Sequence, residues 1–193
     1  MRVTDDRYAG EMEKFDLAMR MIRHEARTGT IRACTGFTED RVRKLVASYC
    51  RDTGRPPLRR RRGKSPRQVA PFVSSAERQA ETTRLATLYV YCRAARVTGE
   101  GQITGGDAAS QVEIAQRVCQ AYELYQLLES RPTLSFEWAW NLYHALLVTG
   151  ELYFAWCAGC DAPYVQDRYA LDYEHCPACE LREQQGRRAT GSP

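Results

Sequence analysis

The sequence lacks any long run of apolar residues: the longest, Leu152 to Ala158, has seven. A membrane-spanning helix needs about 20, so the sequence predicts no transmembrane segment. Charged residues are frequent from Arg2 to Glu13, and no apolar segment follows them, which argues against secretion and predicts a cytoplasmic protein. With 193 residues, 44% apolar and 27% charged, the chain is predicted to fold as one domain, with or without a small appendage.

Signatures of catalysis are also missing. The sequence has no glycine-rich phosphate loop, no nucleophile elbow and no paired carboxylates at a catalytic spacing. Its histidines are few, and His24 and His144 each stand alone on a predicted helix, which is typical of structural histidines. The sequence therefore predicts a protein that is not an enzyme.

Acidic residues are absent between Asp52 and Glu77, although the net charge of the whole chain is only +4. Prolines and glycines in this stretch exclude a continuous helix and predict an exposed loop between two folded parts. Arginine binds phosphate in a bidentate manner, which favours contact with a nucleic-acid backbone. The alternative is a solvated linker. The basic residues of the stretch are Arg55, Arg59, Arg60, Arg61, Arg62, Lys64 and Arg67.

Three helices are predicted before this basic stretch. The first runs from about Tyr8 to Arg27, the second is short, from about Thr30 to Cys34, and a turn at Gly36 follows. Thr38 caps the third helix, which ends near Arg51. This layout is that of a helix-turn-helix, although such hairpins also occur in proteins that bind no DNA. The apolar stripe of the first helix is Met12, Phe15, Met19 and Ile22.

The outward face of the third helix carries the candidate base contacts. Asp40 opposes phosphate but can accept a hydrogen bond from the N4 amine of cytosine. The cations that could contact base edges are Arg41, Arg43, Lys44 and Arg51.

The middle of the chain predicts three further helices. They run from Ser74 or Ser75 to about Val97, from Asp107 to about Leu128, and from Ser135 to Thr149. The second is apolar on two faces, so it packs between neighbours or meets a partner chain. Aromatic residues that belong either to the core or to a protein interface are Tyr89, Tyr91, Tyr122, Tyr125, Trp138, Trp140, Tyr143, Tyr153 and Trp156.

Two C-x2-C pairs near the end of the sequence carry its strongest signal. Their spacing, C-x2-C-x15-C-x2-C, is typical of a zinc site in which four thiolates close the coordination shell and leave no position for a substrate. The sequence therefore predicts one structural Zn²⁺ per chain and disfavours a zinc enzyme. Binding of Zn²⁺ is worth roughly 10–16 kcal/mol in isolated zinc fingers. Here it is expected to stabilise a segment that is poor in large apolar residues. The ligands are Cys157, Cys160, Cys176 and Cys179.

A zinc-ribbon-like fold is predicted for this segment, with short strands at Tyr164–Gln166 and Arg168–Leu171 and a turn at Asp167. Alternatives are disulfides or redox pairs in place of the metal site, or His175 in place of one thiolate. The remaining cysteines are predicted to be small buried residues on helices: Cys34, Cys50, Cys92 and Cys119.

The order of these parts resembles the FlhC family of bacterial flagellar transcription activators. The resemblance covers nearly the whole chain and is most specific at the four-cysteine spacing after Val148–Leu152 and at Arg41–Leu45 before Pro56 and Pro57. It implies a mainly helical fold with structural zinc, and a hetero-oligomer with FlhD that binds promoter DNA and recruits RNA polymerase carrying the housekeeping sigma factor. The Arg59–Arg62 run is heavier, and the tail after Cys179 shorter, than the family pattern.

The predicted fold class is mainly α: a multi-helix DNA-binding domain with a helix-turn-helix-like segment and a C-terminal four-cysteine zinc-ribbon-like element. Its parts are a helical segment over 1–52, a basic loop over 53–73, a helical core and partner interface over 74–150, and a zinc-binding segment over 151–193. The predicted function is activation of flagellar gene transcription. The competing hypothesis is a zinc-ribbon adaptor that binds proteins and makes no direct DNA contact.

Overall fold

The computed structural model describes residues 3–52, 68–107, 110–171 and 174–190. Within these ranges the chain is mainly helical, as predicted, with two short antiparallel hairpins. None of the described helices is both long and apolar enough to cross a membrane. The elements are α1 (Val3–Arg23), α2 (Thr28–Thr35), α3 (Glu39–Asp52), a 3-10 turn (Ala70–Phe72), α4 (Ala76–Tyr91), β1 (Ala95–Val97), β2 (Ile103–Gly105), α5 (Gln111–Leu128), α6 (Phe136–Leu147), β3 (Leu152–Trp156), β4 (Pro163–Asp167) and α7 (Pro177–Thr190).

Helix α1 ends four residues earlier than predicted. Glu25 adopts the left-handed conformation, with φ of 58°, and the amide of Ala26 donates to the carbonyl of Met21 at 3.0 Å. This pairing closes the helix without a glycine. The core side of α1 is formed by Leu17, Ala18, Met21 and Ile22, whereas Met12, part of the predicted stripe, is 43% exposed.

Helices α2 and α3 lie close to their predicted positions in the sequence, with the turn at Gly36 between them. Gly36 stops α2 in the left-handed region, with φ of 71°, and its amide donates to the Arg32 carbonyl at 2.9 Å. The hydroxyl of Thr38 then accepts from the amide of Arg41 at 3.3 Å and caps α3. Phe37 and Val42 are buried, so the three-residue turn and the first turn of α3 are anchored in the core.

The prediction that α4 extends to Val97 is wrong. The helix ends at Tyr91, because Arg93 takes a left-handed conformation with φ of 60° and the amide of Ala94 donates to the Tyr89 carbonyl at 2.8 Å. The chain then forms the hairpin β1–β2, in which Val97 pairs with Ile103. Thr98 and Gly99 lie in the turn of this hairpin.

Helix α5 lies between neighbours and packs against α1, α2, α4 and α6, although Leu127 and Leu128 at its end are exposed. Its cap is Ser110, which accepts from the amide of Glu113 at 3.1 Å, rather than the predicted Asp107. Helix α6 begins after Ser135 as predicted. Most of the aromatic residues of this region belong to the core, with Tyr91, 76% exposed, and Trp156, 45% exposed, as exceptions.

A buried carboxylate of α6 stabilises the start of α2. Glu137 is 3% exposed and accepts from the amide of Arg27 at 2.7 Å and from the hydroxyl of Thr30 at 3.1 Å. A negative charge at a helix N-terminus is favoured by the unpaired amides and the helix dipole. This contact joins the α2–α3 pair to the central helices.

A second buried carboxylate, Glu81 of α4, holds the segment between α5 and α6. It accepts from the amide and hydroxyl of Thr133, at 2.7 and 2.5 Å, and from the hydroxyl of Tyr125, and Arg78 lies 3.1 Å away. Burial opposes charging of the Glu81 carboxyl, but the hydrogen bonds from Thr133 and Tyr125 and the charge of Arg78 outweigh it and lower its pKa.

Replacement of Glu81 with glutamine is expected to destabilise the fold by about 2 kcal/mol at pH 7, since charge-assisted hydrogen bonds are lost. Because the pKa of Glu81 is lower in the folded chain than in the unfolded one, its contribution is complete above about pH 4.3 and disappears as pH falls through the folded value. The free energy of unfolding in urea should therefore differ less between wild type and Glu81→Gln at pH 3 than at pH 7. Glu77→Gln, at an exposed position of the same helix, is the control. If Glu81→Gln destabilised the fold equally at both pH values, Glu81 would not be charged in the folded chain.

Candidate metal centre and cationic helix

The two cysteine pairs come from different kinds of local structure. The first, Cys157 and Cys160, lies in the turn of the β3–β4 hairpin, whose register runs from Leu152 opposite Asp167 to Trp156 opposite Pro163. The second pair lies at the start of α7. The prediction of a strand at Arg168–Leu171 is wrong, because the partner of β4 is the preceding strand β3.

These elements bring four sulfur atoms together. The sulfurs of Cys157, Cys160, Cys176 and Cys179 all lie within 4.8 Å of one another. Two of the separations are 3.8 Å, between Cys157 and Cys179, and 3.6 Å, between Cys160 and Cys176. A tetrahedral centre with metal–sulfur bonds of about 2.3 Å has sulfur–sulfur edges of about 3.8 Å. The group could therefore hold a metal ion.

The electrostatics of the cluster also favour a cation. The amide of Cys176 donates to the sulfur of Cys157 at 3.2 Å, and this contact, with the amides of Gly159 and Cys160, lowers the pKa of Cys157 to about 6. The neighbouring sulfurs, that of Cys160 foremost, raise the pKa of Cys179 to about 12. Several thiolates so close together repel one another, and a bound divalent ion removes that repulsion.

The structure bears on two of the alternatives to a four-sulfur site, a disulfide and a histidine ligand. All four cysteines are free thiols. The ring of His175 lies beside Gly159, with its Cδ2 atom 3.4 Å from the position that a Cβ of residue 159 would take, and it is not part of the sulfur group. Cys160 is the exposed member of the four, whereas Cys157 and Cys176 are buried.

The hairpin docks on the central helix α4 through its second strand, β4. The side chain of Gln79 donates to the Val165 carbonyl at 2.9 Å, and the Val165 amide donates to the hydroxyl of Thr83 at 3.0 Å. Helix α7 packs on α4 as well. Sequence analysis missed Gln79 and Thr83, because two polar residues within an amphipathic helix give no signal of what they contact.

The four predicted base-contacting cations all lie on the exposed side of α3, in two different situations. Arg41 pairs with Glu11 of α1 at 2.9 Å and lies over the ring of Phe37, 3.7 Å from its centroid. Arg43 pairs with Glu39. Among the described residues, no ion pair holds Lys44 or Arg51, and both are exposed.

The other predicted phosphate contacts lie outside the residues that the structure describes: Arg55, Arg59, Arg60, Arg61, Arg62, Lys64 and Arg67.

Two histidines have structural surroundings. His24 Nε2 lies 2.8 Å from a carboxylate oxygen of Glu123, which also pairs with Arg20, and its ring stacks on Phe136. Burial lowers the pKa of His144. Neither histidine lies near the sulfur cluster or on α3, so they belong to the packing of the central helices.

In comparison with known proteins, no protein-family model matches the chain, and no curated protein matches it. The resemblance to the FlhC family therefore stays a prediction.

Proposed function

We propose that this chain is a non-enzymatic, DNA-binding activator subunit of the FlhC type. It acts in the cytoplasm as a hetero-oligomer with an FlhD-type subunit and recruits RNA polymerase to the promoters of flagellar genes. The observation that carries the proposal is α3, a capped helix that follows a glycine turn and exposes Lys44 and Arg51 without ion-pair partners among the described residues. A helix-turn-helix presents its second helix to the major groove in this manner.

The basic stretch supports the same function. It begins directly after α3, which ends at Asp52, and the sequence from 53 to 76 contains no acidic residue. Contacts to phosphate position a protein on the duplex, whereas contacts to base edges supply specificity. The chain thus has candidates for both kinds of contact next to each other in sequence.

Structural zinc fits the donor set of the sulfur cluster. Four thiolates are soft ligands, and a tetrahedral four-sulfur centre is typical of zinc or of an iron–sulfur site. Four cysteines close the coordination shell, so zinc here stabilises a zinc-ribbon-like element and performs no catalysis. The element docks on α4, where it supports the core on which α2 and α3 also pack.

Replacing Arg59, Arg60, Arg61 and Arg62 with alanine is expected to weaken binding to every duplex and to flatten the dependence of affinity on salt. Each phosphate contact contributes about 0.9 to the slope of log affinity against log salt, so four lost contacts reduce it by about 3–4. Filter binding across a salt series measures the slope. Substitution of the same four residues with lysine is the control and should retain it. An unchanged slope in the alanine variant would reject the role of these arginines.

A protein-interaction adaptor is the second candidate, favoured by exposed apolar side chains on the metal-binding segment. Tyr169 is 76% exposed, Leu171 is 92% exposed, and Trp156 is 45% exposed. Such side chains are typical of protein contacts. Gel shifts with flagellar promoter DNA, with and without an FlhD-type subunit, distinguish the two functions, since an adaptor gives no shift that depends on this chain.

A further inference from the structure

One face of α3 forms an exposed stripe along the whole helix. Its members are spaced by four, three and four residues, so they lie on one side of the helix and span about 16 Å. The stripe has an acidic residue at its start, a small residue near its middle and a cation on either side of that small residue. Its members are Asp40, Lys44, Ala47 and Arg51, and all are exposed.

The acids around this helix are neutralised to very different extents. Glu11 pairs with Arg41 at 2.9 Å, and Glu39 pairs with Arg43 and lies 3.7 Å from Arg32. The Asp40 side chain is 83% exposed, and its ion-pair contact is a 3.9 Å approach to Arg43. Of the three acids, Asp40 alone lies on the stripe.

An exposed carboxylate on a DNA-facing surface opposes binding to every sequence, because it repels the phosphate charge. A base that donates a hydrogen bond to it offsets this cost. In the major groove, cytosine presents the N4 amine alone, whereas adenine places the N7 acceptor beside its N6 amine, where it repels a carboxylate. An exposed and only weakly paired acid such as Asp40 therefore rejects most sequences and accepts cytosine, which is specificity by exclusion.

We propose that Asp40 is a specificity-determining residue that selects cytosine in the major groove. Lys44, one turn further along the stripe, donates to the acceptor edge of a neighbouring guanine. Arg41 and Arg43, held by Glu11 and Glu39, act as positioning residues at the flanks. This inference rests on the proposed function, because it assumes that α3 faces duplex DNA.

The test compares Asp40→Ala with Glu39→Ala. Both variants remove one negative charge from the first turn of α3, but only the first changes the stripe. The full chain is isolated from its own cells together with any subunit that remains bound to it. It is then used to select sequences from a duplex library with about 20 randomised base pairs. Binding to the unselected library is measured in parallel, and thermal melts confirm that both variants fold.

Wild type is expected to enrich a motif with cytosine at one fixed position. In Asp40→Ala, the preference for cytosine at that position should fall about tenfold, and binding to the unselected library should become tighter. Glu39→Ala should bind the unselected library more tightly to a similar extent and keep the cytosine. If Asp40→Ala kept the cytosine preference, or if Glu39→Ala lost it equally, the role of Asp40 would be overturned while the proposed function would stand. Absence of duplex binding by wild type would overturn the proposed function as well.

Discussion

Replacement of Cys157 with serine is expected to abolish metal binding and to unfold the β3–β4 hairpin and the start of α7. Serine does not replace a thiolate ligand of zinc, and the four sulfurs come from two separate elements that a shared metal ion would join. Binding energies of about 10–16 kcal/mol in zinc-finger peptides are as large as the whole stability of a typical domain, about 5–15 kcal/mol. The loss should therefore be severe.

The damage should also reach the central helices. Leu152, Phe154 and Val165 of the hairpin belong to the main core, and loss of β4 leaves the polar side chains of Gln79 and Thr83 without their partner on Val165. Unfolding of the hairpin also exposes apolar side chains of the core to water, at a cost of about 25 cal/mol per Å². Hydrogen exchange is expected to accelerate along α4 as well as in the C-terminal segment.

Elemental analysis and thermal melting measure these effects. Wild type should contain one zinc per chain, and the Cys157→Ser variant none. Cys50→Ser is the control, because Cys50 is a half-buried cysteine of α3 that is not part of the sulfur group. It should keep the metal and melt close to wild type. A Cys157→Ser variant that retains one zinc per chain would show that the ligand assignment is wrong.

The features that the sequence predicted well are those with a local chemical cause. The cysteine spacing predicted that the four sulfurs come together in a group that could hold a metal ion, since two C-x2-C pairs at this distance are typical of such a group. The end of α2 was predicted because Gly36 takes the left-handed conformation for which glycine is favoured. The start of α3 was predicted because Thr38 caps it.

The helix ends that sequence analysis placed wrongly share one physical cause. Helices α1 and α4 both close on a left-handed residue that is not glycine, Glu25 in one and Arg93 in the other. Such residues adopt this conformation at a cost that the packing of the surrounding core outweighs. Sequence analysis therefore continued α1 to Arg27 and α4 to Val97, and in α4 this concealed the hairpin β1–β2.

The contacts of the candidate site were beyond sequence analysis for a related reason. Pairing of Arg41 with Glu11 joins residues 30 positions apart, and the docking of Val165 on Thr83 joins residues 82 apart. No periodicity or spacing encodes such contacts, because they depend on how whole helices pack. The sequence thus identified the cations of α3 but not which of them are held by acids.

Replacement of Gly101 with alanine is expected to destabilise the fold by about 3 kcal/mol, because the turn of the first hairpin presses against β3. Gly101 has φ of 75°, and its carbonyl accepts from the amide of Phe154 at 2.9 Å. A Cβ at this position would lie 1.9 Å from the carbonyl oxygen of Phe154 and 2.7 Å from the ring of Trp156. The backbone oxygen cannot move aside without breaking the strand that leads to Cys157.

Thermal melting should show a decrease of about 6–12 °C for Gly101→Ala, given that 1 kcal/mol shifts the midpoint of a domain of this size by about 2–4 °C. Gly99→Ala is the matched control, since Gly99 lies in the same turn with nothing within 4 Å of its Cβ position, and it should melt within about 2 °C of wild type. Equal melting of the two variants would contradict the contact with β3. Because Gly101→Ala leaves all four sulfurs in place, it should still bind one zinc per chain, which separates weakened packing of the hairpin from loss of a ligand in Cys157→Ser.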